Sequence, residues 1–184
     1  MKELYLIRHG ETEMNVAGLA SGHTDTPLTA TGLNQAKEAG LSIKERNIIL
    51  DRIFSSPLQR AHHTAKGIVK HLDYDEDSIE LLELIKERNF GEIEGKSLSK
   101  DFGIDTDLYF ENETLIDDTN GIEKLEEAHK RAVEAIDFLK AQPEHTILIV
   151  THSNFGRCLY RAANDLPYNA KVPKINNAEI IKLI

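Results

Sequence analysis

Two short apolar runs, each broken off by a histidine, constrain this chain more than any other feature. Leu4 to Ile7 runs into Arg8, His9 and Gly10, and Thr146 to Val150 runs into Thr151, His152, Ser153 and Asn154. Short, continuously apolar segments of this kind fit strands buried on both faces, as in a parallel sheet covered by helices. The segments between them keep that rhythm. Thr29 can cap a helix in which Leu33, Ala36, Ala39 and Ile43 recur at helical spacing, and Arg52 to Ser55 then reads as a second strand. Pro57 opens the next expected helix, with Leu58, Ala61, Ala65, Ile68 and Leu72 on one face. A strand is expected over Ile79 to Ile85. A long amphipathic helix is marked by Ile122, Leu125, Val133, Ile136 and Leu139. The loop at His152 to Asn154 leads into a helix over Phe155 to Ala163, and Ala178 to Leu183 closes the chain as a strand.

The expected architecture is an α/β fold: a three-layer α/β/α sandwich around a mostly parallel sheet. At 184 residues, 40% of them hydrophobic, the chain fits one domain spanning 1–184. The weakly patterned, acidic stretch over 96–120 is expected to form a lid-like insertion. No apolar run reaches the roughly 20 residues that cross a bilayer. The first residues, with Lys2, Glu3 and Arg8, lack a signal-peptide profile, so a cytoplasmic protein is expected. The single cysteine, Cys158, rules out an internal disulfide and is expected as a small core residue. A net charge of −9 offers no basic footprint for nucleic acid or anionic membrane. A monomer and a homodimer both remain compatible with the pattern.

Open parallel sheets bind ligands beyond the carboxyl ends of their strands. Four such ends here lead into Arg8 and His9, into Ser55 to Arg60, toward Glu87, and into His152 to Asn154. Two arginines, two histidines and a carboxylate therefore converge in one cleft. Guanidinium forks match phosphate oxygens, and helix starts add backbone donors and positive dipole ends. A neutral imidazole can attack phosphorus, a carboxylic acid can protonate the departing oxygen, and arginines with a protonated second histidine can stabilise the transferred group without a metal. On these grounds His9 and His152 are equal candidates for the nucleophile. His23, His71, His129 and His145 show no zinc spacing, and the neighbouring His62 and His63 point different ways on a helix, so no metal site and no cofactor is expected.

The run Leu6-Ile7-Arg8-His9-Gly10-Glu11-Thr12 resembles the signature of the histidine phosphatase superfamily, which includes cofactor-dependent phosphoglycerate mutases. The likeness continues through Asn15, Ser21-Gly22, Pro27-Leu28-Thr29, Ser55-Ser56-Pro57-Leu58-Gln59-Arg60-Ala61, Glu87, Phe90-Gly91, Glu94-Gly95 and Thr151-His152-Ser153. The resemblance implies a phosphoglycerate mutase-like fold, His9 as nucleophile, Glu87 as proton donor, and Arg8, Arg60 and His152 as the phosphate pocket. It further implies that Asn15, Ser21, Gly22, Ser153 and Asn154 assist in substrate binding. The longer insertion with adjacent arginines that many mutases carry after Glu94-Gly95 is lacking. Between Asp101 and Glu127 the only base is Lys124. Those acids are expected to be largely solvated surface that repels a strongly anionic second group, which favours hydrolysis of a small phosphorylated metabolite. The alternatives are a phosphoglycerate mutase, a sugar-bisphosphatase or a non-catalytic phosphate-binding module.

Overall fold

The computed structural model describes residues 2–184. The first strand, β1 (Glu3–Arg8), joins a five-stranded sheet with β2 (Arg52–Ser55), β3 (Glu80–Leu81), β4 (Thr146–Thr151) and β5 (Ile180–Lys182). Their order is β3-β2-β4-β1-β5, all parallel except the antiparallel edge strand β5. The alternation within β4 explains the layers. Ile147 and Ile149 face one core with Leu4, Leu6 and Phe54, whereas Leu148 and Val150 face a second core with Ile7 and Ile53. Helices α2 (Ala30–Glu45) and α3 (Gln59–Val69) cover the second core, and α6 (Leu125–Ala141) with α7 (Ser153–Ala163) cover the first. The three-layer α/β/α sandwich is thus present.

Several boundaries differ from the sequence reading. Helix α2 is capped as expected, with Thr29 Oγ1 accepting from Gly32 N at 3.0 Å. Helix α3 starts two residues later than Pro57, because its cap comes from outside: Asp25 Oδ2 accepts from Gln59 N at 2.7 Å. Leu72 lies beyond its end but still packs against the second core. The strand expected over 79–85 contracts to Glu80 and Leu81, since β3 is an edge and a 3₁₀ turn at Glu83–Ile85 swings Ile85 into the core. Leu33 and Val133 are exposed rather than buried. On α6 the seam is instead made by Ala128, Ala132 and Ala135, whose small size lets α7 approach closely. Ile122 precedes α6 and bridges Phe90, and α7 already begins at Ser153, with His152 as its N-cap residue. The closing strand is confined to 180–182. A five-residue helix that the pattern does not signal, α1 (Glu13–Ala17), follows β1 and is fixed by a capping box between Thr12 and Asn15.

The 96–120 insertion is a folded unit, with α4 (Leu98–Phe102), α5 (Thr106–Glu111) and a 3₁₀ turn at Glu113–Ile116. It shares a satellite core of Phe90, Ile93, Tyr109 and Ile116. Contrary to expectation, one of its acids is buried and a second, half-buried, is paired with a buried arginine. Glu113 is 3% exposed and lies between Arg157 and Arg161 of α7, while Asp117 pairs with the buried Arg88. Arg157 also donates to the Phe110 carbonyl at 2.7 Å. The insertion is therefore bolted to α7 through buried charge. Removing one partner of such a cluster leaves uncompensated buried charge, so Glu113→Ala is expected to lower the unfolding free energy by about 3–5 kcal/mol in urea titration. A loss below about 1 kcal/mol would mean that the insertion is held by its apolar core alone.

Candidate active site

The register of the sheet brings the two histidines together. Arg8 of β1 lies opposite Thr151 of β4, and His9 N donates to Thr151 O at 2.9 Å. The imidazoles of His9 and His152 follow directly and meet edge to face, 5.2 Å between centroids. A cavity of about 390 Å³ opens beyond these strand ends, lined among others by Arg8, His9, Asn15, Ser21, Glu87 and Ser153. Asn154 also lines it, whereas Arg60, His152 and Gly22 are not among the lining residues.

His9 is 4% exposed, and its Nδ1 lies 2.7 Å from the Gly10 carbonyl. A carbonyl only accepts, so Nδ1 carries the proton and the lone pair of a neutral ring is on Nε2. Burial, reinforced by the charges of Arg8 and Arg60, pushes the His9 ring well below its ordinary value despite the Gly10 contact. His152 is shifted in the same direction by burial, then by Arg60, His9 and Arg8. Burial and these neighbouring charges both favour the neutral form of the His152 ring. Its Nε2 lies 2.8 Å from Ser56 Oγ.

Arg8 Nη1 donates to Ile175 O at 2.9 Å. Burial pushes its guanidinium down to about 10, Glu87 opposing and Arg60 adding to the shift, so it remains charged at neutral pH. Arg60 is fully buried and donates to the carbonyls of Thr24 at 2.9 Å and Gly22 at 2.6 Å, which fastens the 21–24 loop over it. The same loop is held from the other side by Glu94, whose carboxylate accepts from His23 N and Thr24 N, each at 2.6 Å. Burial works to raise the Glu94 carboxyl, but these donors outweigh it and hold it below the usual range. A Cβ on Gly22 would come within 2.6 Å of Arg88 O, so only glycine fits there.

Glu87 is 3% exposed and caps α7. Its Oε1 accepts from Phe155 N at 2.8 Å and Arg88 N at 2.9 Å, and its Oε2 accepts from Asn154 N at 3.2 Å. Ser153 lies at the start of the same helix, and its Oγ is buried without a partner. Asn15 Oδ1 accepts from Thr12 N at 3.2 Å and from Asn177 Nδ2 at 3.3 Å, so this side chain is as much a local cap as a ligand contact. The Ser21 hydroxyl donates to Thr24 O.

Sequence reasoning missed Asn177, which donates to His9 O at 2.9 Å, because nothing in the final loop marks it. It also missed Lys174, a wall residue over the Phe110 ring, and Tyr109, whose hydroxyl donates to Asn154 Oδ1 at 2.6 Å. The acids of the insertion do not line the cavity; its wall there is Leu98, Thr106, Tyr109, Phe110 and Ile116. The expected repulsion of a second anionic group therefore has no carboxylate on this wall to produce it. Among the described residues no cluster of three or more His, Cys, Asp or Glu could hold a metal ion, and no helix is long and apolar enough to cross a membrane. Cys158 is buried, and burial pushes its thiol up to about 12.

Fold and site together define a phosphoglycerate mutase-like α/β protein with paired histidines at adjacent strand ends. The profile of the histidine phosphatase superfamily (branch 1) matches residues 4–184, and the chain belongs to that family. It is 45% identical over 91 residues to the adenosylcobalamin/alpha-ribazole phosphatase of Salmonella typhimurium, covering 50% of this chain and 43% of that one. It is 38% identical over 100 residues to the 2,3-bisphosphoglycerate-dependent phosphoglycerate mutase of Borrelia garinii, covering 54% and 40%. These matches span less than half the length of either relative. In structure it is similar to phosphoserine phosphatase of Entamoeba histolytica in complex with 3-phosphoglyceric acid, with a TM-score of 0.78, 27% identity, and coverage of 99% and 90%.

The depressed histidines make stability depend on pH. The unfolded chain binds protons from about pH 6.5 downward while the buried rings do not, so stability is greatest above that pH and falls below it. Each ring contributes a slope of up to about 1.4 kcal/mol per pH unit between its unfolded and folded values. Urea titrations between about pH 7 and pH 5 are expected to give a shallower slope for His152→Gln than for the wild type. Equal slopes would show that His152 protonates as readily in the folded protein.

Proposed function

We propose that this protein is a phosphatase that hydrolyses small phosphomonoesters through a phosphohistidine on His9, without a metal. The observation that carries the reading is the state of His9: a neutral ring whose Nδ1 is committed to Gly10 O, leaving the Nε2 lone pair for attack beside Arg8. Nε2 forms a bond to phosphorus as the P–O bond to the leaving alcohol breaks, and Glu87 gives that oxygen its proton. Glu87, now a carboxylate, takes a proton from water as the water attacks phosphorus, the N–P bond breaks and phosphate leaves. Arg8, the Asn154 amide and the start of α7 supply donors and positive potential to the equatorial oxygens, with Arg60 adding its charge from behind the 21–24 loop. The chain's likeness to an alpha-ribazole phosphatase and a phosphoserine phosphatase supports a phosphatase, and their differing substrates leave the alcohol open.

A second reading, a mutase or bisphosphatase, is favoured by one observation. Lys174 stands on the cavity wall and the only carboxylate there is Glu87, so a second anionic group meets attraction rather than repulsion. Product analysis separates the two readings. For hydrolysis, phosphate release in EDTA is expected from at least one member of a phosphomonoester panel. His9→Ala should lower it by about 1,000-fold or more, and Glu87→Gln by about 100- to 10,000-fold on alkyl esters. Loss of activity in EDTA, or activity that survives His9→Ala, would refute the mechanism; transfer of phosphate between two hydroxyls without net release would favour the mutase.

A further inference from the structure

Helix α7 serves the lid and the acid at once. Its first turn gives backbone N–H groups to both oxygens of Glu87, at 2.8 Å from Phe155 and 3.2 Å from Asn154. Two later turns carry Arg157 and Arg161 to Glu113 of the insertion. One lid side chain reaches the first turn itself. Tyr109 of α5 is 2% exposed and donates its O–H to Asn154 Oδ1 at 2.6 Å. Burial pushes the Tyr109 hydroxyl far up, so it stays protonated and remains a donor throughout the pH range in which the protein is folded. With Oδ1 engaged in this way, the NH₂ end of the Asn154 amide is what that side chain has left for a ligand in the cavity.

Packing does not require this hydroxyl. The Tyr109 ring belongs to the satellite core with Phe90, Ile93 and Ile116, and phenylalanine would fill the same place. The oxygen is spent on one acceptor only, and that acceptor belongs to the residue whose backbone N–H holds Glu87. We propose that Tyr109 is a positioning residue for proton transfer to the leaving group: its hydroxyl fixes Asn154, and thereby the helical turn that aims Glu87, so that lid docking and placement of the acid are one event. This rests on the reading of His9 as nucleophile and Glu87 as acid.

The test compares two esters of different leaving-group basicity. An alkyl ester such as glycerol 2-phosphate needs a proton on its departing oxygen, whereas 4-nitrophenyl phosphate releases a weakly basic phenolate that hardly does. Because kcat/KM covers the steps through phosphoryl transfer, it is the quantity to compare. Tyr109→Phe is expected to lower kcat/KM for the alkyl ester about tenfold and for the nitrophenyl ester less than about twofold. In an Asn154→Ala background the same substitution should have no further selective effect, since the hydroxyl then has no amide to act through. An equal loss on both esters, no loss on either, or additivity of the two substitutions would overturn the proposal. If Tyr109→Phe does not fold, Asn154→Ala must lower kcat/KM more for the alkyl ester than for the nitrophenyl ester, beyond the loss of its phosphoryl contact that both esters share, and an equal loss on both esters overturns the proposal. An inactive wild type, or His9→Ala with wild-type rates, would instead sink the underlying reading and is distinguished by those two controls.

Discussion

The parallel pairing of β1 with β4 is the constraint on which everything else rests. Its register sets Arg8 against Thr151, and the chain leaves both strands in the same direction, so His9 and His152 emerge side by side without either being steered by a loop. The cost of burying two imidazoles and two guanidiniums in one place is then met locally. Burial and the nearby guanidiniums favour neutral rings at both histidines, and the arginines donate to the carbonyls of Ile175, Thr24 and Gly22. A slip of one residue would send one histidine into the opposite core.

Buried arginine is the second theme of this acidic chain. Arg60, Arg88, Arg157 and Arg161 are among its largest fully buried side chains. Each acts as a cross-brace rather than a surface charge: Arg60 ties down the 21–24 loop, Arg88 reaches Asp117 and the Glu123 carbonyl, and Arg157 and Arg161 grip Glu113 together with the carbonyls of Val172 and Ala170. The last pair fastens the insertion and the 170–177 segment to the same helix. The two sides of the cavity mouth are therefore set relative to one another by α7, whose first turn also holds Glu87. Function and stability share one element here.

The layered fold was legible in the sequence because its signals are local. Leu4 to Ile7 and Thr146 to Val150 could hardly be anything but buried strands, and Thr29 marks its helix start by its own side chain. Arg8, His9, Glu87, Ser153 and Asn154 do meet in one cavity, since strand ends in a parallel sheet bring distant segments to one edge. What was illegible depends on partners far along the chain. Asp25 caps α3 from outside, which moves the helix start past Pro57; Glu113 and Asp117 read as solvated acids in the sequence because their arginines are remote along the chain. Val133 fitted the helical period of α6, yet the alanine seam beside it is what α7 packs against.

The central claim is that phosphate passes through His9. Rapid mixing with a turned-over phosphomonoester, quenching in alkali, where phosphohistidine survives, and mapping the modified peptide tests it most directly. A phosphoryl group found on His9 and absent from His152, forming and decaying at rates that match turnover, is the expected result. A phosphoryl group on any other side chain, or steady turnover with no phosphoprotein at any time, would contradict the account.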